Sequence, residues 1–165
     1  MTTVVVQAHP VPESLNAALC DRVEAGLDRA GSPYRVHRLA TDPPPQPADL
    51  AVCEHLVLVY PTWWGGQPAQ LLDWLHDTAG LDPADGAARP LAAVDRLTAV
   101  TSLGSSRLLN IMQGEWGRRH LRRNVLPVCA PSARFQWLAL YKVDRRPREA
   151  VAAHLDVVEE RFARG

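Results

Sequence analysis

The stretch best suited to chemistry is Tyr60-Pro61-Thr62-Trp63-Trp64-Gly65-Gly66-Gln67-Pro68-Ala69, where adjacent tryptophans lie between a proline and two glycines. Connecting turns normally carry small polar residues. Flat aromatic surface beside flexible backbone suits a flat ligand, and the ordinary alternative is a pair of core plugs beneath a loop. Position favours the ligand, because the loop leaves the carboxyl end of the apolar run Leu56-Val57-Leu58-Val59, where open parallel sheets gather their ligands.

Two more stretches carry hydroxyl and amide groups at comparable places. After Thr2-Thr3-Val4-Val5-Val6 the chain turns through His9-Pro10 into Ser14-Leu15-Asn16-Ala17. Ser14 is a good N-cap, and a helix start there offers backbone N–H groups and the positive dipole end to a phosphate. Simple capping is the competing reading, and His9 can equally serve only its own loop. After Leu97-Thr98-Ala99-Val100, the residues Thr101-Ser102-Leu103-Gly104-Ser105-Ser106 bring small hydroxylic side chains to the end of another strand. Further on, Arg118, Arg119, Arg122 and Arg123 cluster around Leu121. A solvated helix face is the usual meaning of such a run, and an anion site is the alternative.

These stretches need a scaffold that brings strand ends together. Val4 to Val6 has no polar alternation, as expected of a strand covered on both faces. Leu15, Leu19, Val23 and Leu27 recur at helical spacing, with Gly31 ending that helix. Tyr34 to Leu39 alternates like a half-exposed edge strand. The proline-rich 42–47 segment reads as a stiff connector to a short helix over 48–53. A helix is expected from Pro68 to about Thr78, then loop over 77–90, then the Leu97 strand. The next helix begins near Arg107, carries Leu108, Ile111 and Met112 on one side, and is interrupted around Gly114 and Gly117. The last parallel strand is expected over Val125-Leu126-Pro127-Val128-Cys129, with Phe135 to Tyr141 an aromatic segment leading away from it and a closing helix opening at Pro147. Strands alternating with helices predict one α/β domain over 1–165, a doubly wound five-stranded parallel sheet with helices on both faces. Its strand order is expected to be 2-1-3-4-5.

The chain has 165 residues, a size that supports one sizeable core. With 18 Lys and Arg against 18 Asp and Glu, net charge steers toward neither nucleic acid nor an acidic membrane. Cys20, Cys53 and Cys129 are scattered and lack metal-ligand spacing, so they read as buried apolar residues in a reducing compartment. No run approaches the roughly 18 apolar residues of a membrane span. The expectation is a cytoplasmic protein without membrane insertion.

With its His9-Pro10, Ser14-Leu15-Asn16-Ala17, Tyr60 to Gly66, Leu72-Asp73-Trp74, Thr101 to Gly104, Cys129, Trp137 and Tyr141, the chain resembles the flavodoxin-like NAD(P)H:quinone oxidoreductases, which include bacterial quinone reductases and ancillary subunits of potassium-efflux antiporters. The resemblance implies that His9, Ser14, Leu15, Asn16 and Ala17 hold a flavin phosphate. It implies that Pro61, Thr62, Trp63, Trp64, Thr101, Ser102 and Gly104 line the isoalloxazine. It further implies NADH or NADPH as hydride donor, a quinone or similar flat electrophile as acceptor in a ping-pong cycle, and a homodimer with its site near the subunit boundary. FMN is expected over FAD, since the chain shows no extra segment for an adenosine half. A regulatory subunit of a transporter and a flavodoxin-like electron carrier are the competing functions. This chain has one glycine after strand four, where the family usually has two, and Leu108 and Leu109 stand where the family has a tyrosine. No catalytic Tyr or His is carried over. Arg107, Glu115 and Trp116 are the local candidates for shaping the acceptor site, and the surplus of large rings, among them Trp116 and Trp137, is consistent with a subunit contact.

Overall fold

The computed structural model describes residues 2–77 and 89–165. Most of the loop expected over 77–90 lies outside them. The strands are β1 (Thr3–Gln7), β2 (Tyr34–Arg38), β3 (His55–Thr62), β4 (Arg96–Leu103) and β5 (Arg134–Tyr141), all parallel, in the order β2-β1-β3-β4-β5. That is the expected order, reversing between β1 and β3. β1 and β3 are buried along nearly their whole length, as their unbroken apolar runs require. β2 is half-exposed at the edge.

The helices are α1 (Leu15–Arg29), α2 (Pro47–Ala51), α3 (Ala69–Asp77), α4 (Arg107–Met112), α5 (Trp116–His120) and α6 (Arg148–Ala163). One sheet face is covered by α1 and α6, where Leu19, Cys20, Val23, Leu27, Val158 and Phe162 meet Val5, Val57, Val59 and Val100. The other face packs Leu50, Leu71, Trp74, Leu75, Leu121 and Val125 against Val4, Val6, Leu56 and Leu58. Helix α1 and helix α6 touch closely at Gly26, and Arg22 and Arg29 pair with Glu159 across the same contact at 2.6 and 3.0 Å. All three cysteines are buried and free, and burial pushes the Cys20 and Cys129 thiols up to about 12 and that of Cys53 to about 11. They are protonated core residues.

One strand differs from expectation. Val125-Leu126-Pro127-Val128-Cys129 is not a strand: Leu121–Val125 is a π-helical turn and Leu126–Val128 a 3-10 turn. The buried positions are Leu121, Val125 and Cys129, a spacing of four that belongs to a helical path, and Pro127 has no N–H for a ladder. The fifth strand is Arg134–Tyr141, which does not lead away but pairs with β4 along its full length. Its alternation is plain in retrospect: Phe135 and Trp137 pack toward the α3 face and Leu138 toward α6. The break after α4 comes at Gly114 (φ 87°), while Gly117 lies inside α5.

His55, at the start of β3, ties sheet to α6. Its ring stacks on Phe162 at 5.8 Å and its Nε2 lies 2.9 Å from Thr98 Oγ1, while Nδ1 is buried without a partner. Burial, reinforced by the charge of Arg96, lowers its pKa to about 4. The folded state therefore holds a neutral imidazole that the unfolded chain would protonate below its ordinary value near 6.5. The resulting stabilisation is complete above pH 6.5 and is withdrawn as pH falls through 4, with an upper size of about 3 kcal/mol. Urea unfolding from pH 7 to 4 should show this loss in wild type and a shallower one in His55→Gln; equal slopes would refute the assignment.

Candidate active site

The carboxyl ends of β1, β3 and β4 bring the predicted loops together. Register sets Gln7 beside Val59, and Pro61 and Thr62 beside Ser102 and Leu103. Side chains then cross between the strands and loops. Asn16 Nδ2 donates to Ser102 Oγ at 3.1 Å, joining the start of α1 to the end of β4. Thr62 Oγ1 lies 2.8 Å from Thr101 Oγ1, and the His9 and Trp63 rings meet edge to face at 5.7 Å.

At the start of α1, Ser14 is extended (φ −109°, ψ 162°) and its Oγ accepts from Ala17 N at 3.1 Å. Ala18 N donates to Ser14 O. The N–H groups of Leu15 and Asn16 stand in the first turn, where no intrahelical acceptor exists. They are the donors an anion would take, with the dipole of a 15-residue helix behind them. Asn16 is buried and its side chain is committed to Ser102, which leaves its backbone N–H as the group free to meet an anion. His9 is fixed by Val11 N, which donates to Nδ1 at 3.0 Å.

The aromatic loop is a tight hairpin. Trp63 N donates to Gly66 O at 3.0 Å and Gly66 N to Trp63 O at 2.9 Å, closing a two-residue turn whose central residues, Trp64 (φ 52°) and Gly65 (φ 84°), are both left-handed. That is type I′ geometry, which favours Asn-Gly or Gly-Gly. Trp64 adopts it at a cost of about 1–2 kcal/mol while its side chain is fully exposed and packs on nothing that would offset the strain. Trp63 is also exposed, so neither ring is a core plug. Trp64→Asn, which gives the preferred Asn-Gly pair, should raise the melting temperature by about 2–4 °C per kcal/mol recovered. A lower melting temperature in a thermal scan would mean that the ring contributes to the fold.

Helix α5 leans on this hairpin. Gly117 N donates to Gly65 O and Gln67 Nε2 to Gly117 O, both at 2.9 Å, and the Trp116 ring comes so close to Gly66 that a β-carbon there would stand 2.6 Å from it. Trp116 also stacks on His120 at 5.2 Å. Of the other candidates, Glu115 is left-handed (φ 45°) and holds Arg118 at 3.0 Å, while Arg107 is exposed at the start of α4. Gln67, Lys142 and Asp144 were not foreseen. Lys142 N donates to Ser105 O, and Asp144 Oδ2 lies 2.8 Å from where a β-carbon on Gly104 would stand, so the exit of β5 overlies the loop after β4. The left-handed Lys142 (φ 59°) that turns Asp144 there has no sequence signal.

Residues 1–106, which include all three loops, match a family model described as flavodoxin-like fold. The chain belongs to this flavodoxin-like family. No curated protein matches the sequence. Among solved structures, Smu.1420 from Streptococcus mutans superposes with a TM-score of 0.82 at 19% identity, with 100% of each chain covered. An NAD(P)H:quinone oxidoreductase from Methanothermobacter marburgensis gives 0.76 at 18%, covering 99% of this chain and 94% of the other. An FMN-dependent NADH-azoreductase from Bacillus anthracis, solved with FMN, gives 0.76 at 11%, covering 99% and 98%. These likenesses establish a shared fold. In this flavodoxin-like chain the convergent loops stand at the reversal point of the sheet, where such folds bind ligands.

Proposed function

We propose that the protein is a flavin-dependent NAD(P)H oxidoreductase that passes hydride to a quinone or similar flat electrophile in a ping-pong cycle. The observation that carries this reading is the convergence of an anion-ready helix start, a hydroxyl-lined strand end and a strained, exposed Trp63-Trp64 hairpin in one place. The residues fit FMN. Leu15 and Asn16 N–H would take its phosphate, with His9, Ser14 and Ala17 shaping the turn. Pro61, Thr62, Trp63 and Trp64 would line one side of the ring system, and Thr101, Ser102 and Gly104 another. Bound flavin would supply the hydride chemistry. The chain's own work is to seat the phosphate, present N–H and hydroxyl groups to the ring edge, and exclude water with the tryptophans. The solved structures named as an NAD(P)H:quinone oxidoreductase and an FMN-dependent NADH-azoreductase support the reaction class.

Purified protein reconstituted with flavin should show the oxidised-flavin absorbance bands, release FMN rather than FAD, and oxidise NADH or NADPH steadily when a soluble naphthoquinone is added. Failure to bind either flavin overturns the proposal. Flavin binding without turnover would favour a docking subunit or an electron carrier.

The active form is proposed to be a homodimer. Helix α4 is turned inside out: Asn110 is buried while Leu108 and Met112 are 68% and 77% exposed, with Leu109 and Ile111 also open to solvent, as are Trp63, Trp64 and Trp116 around the hairpin. So many large exposed apolar side chains are unusual unless a partner covers them. Sedimentation at low micromolar concentration should give a dimer, and Met112→Asp, at a position 77% exposed in a single protomer, should dissociate it by placing a charge in a dry contact. A wild-type monomer with normal quinone turnover would sink this part of the reading.

A further inference from the structure

A cavity of about 390 Å³ opens beside α5, lined by Glu115, Arg118, Arg119, Arg122 and Arg123. Its charge is unbalanced. The single carboxylate is already bonded to Arg118 Nη1 at 3.0 Å, and among the described residues Arg119, Arg122 and Arg123 have no carboxylate within ion-pair distance. Arg118 and Arg122, and likewise Arg119 and Arg123, are four residues apart along a helical path, an arrangement of like charges that disfavours the helix. Arg122 and Arg123 sit on the π-helical turn, a widened geometry frequent at functional sites. A merely solvated face would have no need to collect these guanidinium groups around one cavity. Planar, multiply donating guanidinium groups facing one open space have the donor chemistry that recognises a phosphate.

The cavity is joined to the aromatic loop. Glu115 at its rim precedes Trp116, whose ring lies on Gly66, and α5 is bonded to the hairpin through Gly65 and Gln67. From Trp116 to Arg123 a helical path rises about 10 Å, so one extended ligand can lie on the hairpin and reach the arginines. The start of α1 already provides a separate seat for the flavin phosphate. A dinucleotide site that selects NADH presents a carboxylate to the adenosine ribose, whereas arginine accommodates the 2′-phosphate of NADPH. Among the described residues the carboxylate is engaged and three arginines are not.

Building on the oxidoreductase reading, we propose that this cavity holds the 2′-phosphate of NADPH and makes NADPH the preferred hydride donor. Wild type should have a KM for NADPH at least tenfold below that for NADH. The double variant Arg122→Ala/Arg123→Ala should raise the NADPH KM by about 10- to 100-fold, the equivalent of losing one or two charge-assisted hydrogen bonds. Its NADH KM, kcat and FMN content should stay near wild type, and the corresponding double lysine variant should keep part of the preference. Equal KM values for the two donors in wild type, or parallel weakening of both in the variant, overturn the proposal. Calorimetry with adenosine 2′,5′-bisphosphate and adenosine 5′-monophosphate reads the cavity without turnover. Preferential binding of the bisphosphate that the double variant loses supports the assignment even if no quinone is reduced and the oxidoreductase reading falls. No binding, or binding no tighter than inorganic phosphate, overturns it.

Discussion

A Ser14→Asp variant should melt no lower than wild type and yet bind FMN at least about 30-fold more weakly. Both halves come from one place in the fold. Ser14 caps α1 through Ala17 N, and Asp is an equally good N-cap whose charge gains about 0.3–1 kcal/mol from the helix dipole. That same carboxylate would stand where the flavin phosphate is proposed to sit. Two like charges about 4 Å apart at an effective dielectric near 20 repel by roughly 4 kcal/mol, about 30-fold in affinity even if half is screened. Riboflavin lacks the phosphate and should bind both proteins alike. Fluorescence titration with the two flavins and a thermal melt decide the matter. Unchanged FMN affinity would remove the start of α1 from the site, and equal weakening of both flavins would reduce Ser14 to a structural cap.

Gly26→Ala should destabilise the protein by about 2–3 kcal/mol or more, although alanine is the better helix former by about 0.5–1 kcal/mol. A β-carbon at this position would stand 2.5 Å from Glu159 O, 2.7 Å from Phe162 Cβ and 3.2 Å from Ala163 N. All three belong to the frame of α6 and none can swing aside, so α6 must shift as a body. Phe162 would then lose its packing on the sheet and on His55. The ion pairs of Arg22 and Arg29 with Glu159 are partly exposed and contribute little to the cost. A fall in melting temperature of roughly 5–10 °C is expected for a chain of this size. FMN affinity measured well below the transition should stay near wild type, because the contact is remote from the loops. A higher melting temperature would mean that helix propensity outweighs the clash.

Much of the scaffold was legible because its signals are local. Val4 to Val6 and Leu56 to Val59 carry unbroken apolar runs that only a doubly covered sheet explains, and Ser14 and Gly31 delimit α1 at the ends where their backbone preferences act. The three loops were found from composition at strand ends. The error at Val125 to Cys129 has a physical root: a short apolar run fits a strand or a helix, and the burial of Leu121, Val125 and Cys129 at steps of four decides it only once packing is known. Phe135 to Tyr141 had the period-two pattern of an edge strand but was passed over for that shorter run. Destinations of side chains were not legible. Asn16 could have pointed outward to a ligand, and its turn inward onto Ser102 depends on how closely α1 approaches β4. Asp144 reaches Gly104 only because Lys142 takes a left-handed conformation, which no residue type there announces. The exposure of Leu108 and Met112 runs against the usual meaning of apolar periodicity, which indicates a face but not what covers it.

The contact between α1 and α6 also sets an order of assembly. Chains emerge from the ribosome amino end first, and β2, β1 and β3 can pair with α1 and α2 in place while α6 has not yet been made. During that interval Val57, Val59 and Val100 lack the cover of Val158 and Phe162, and the Gly26 groove on α1 stands empty. The sheet face that packs on α1 therefore depends for its seal on a helix translated after all five strands. Nascent chains arrested before Arg148 should accordingly be held by chaperones and cut readily by protease, with protection arriving late and in one step.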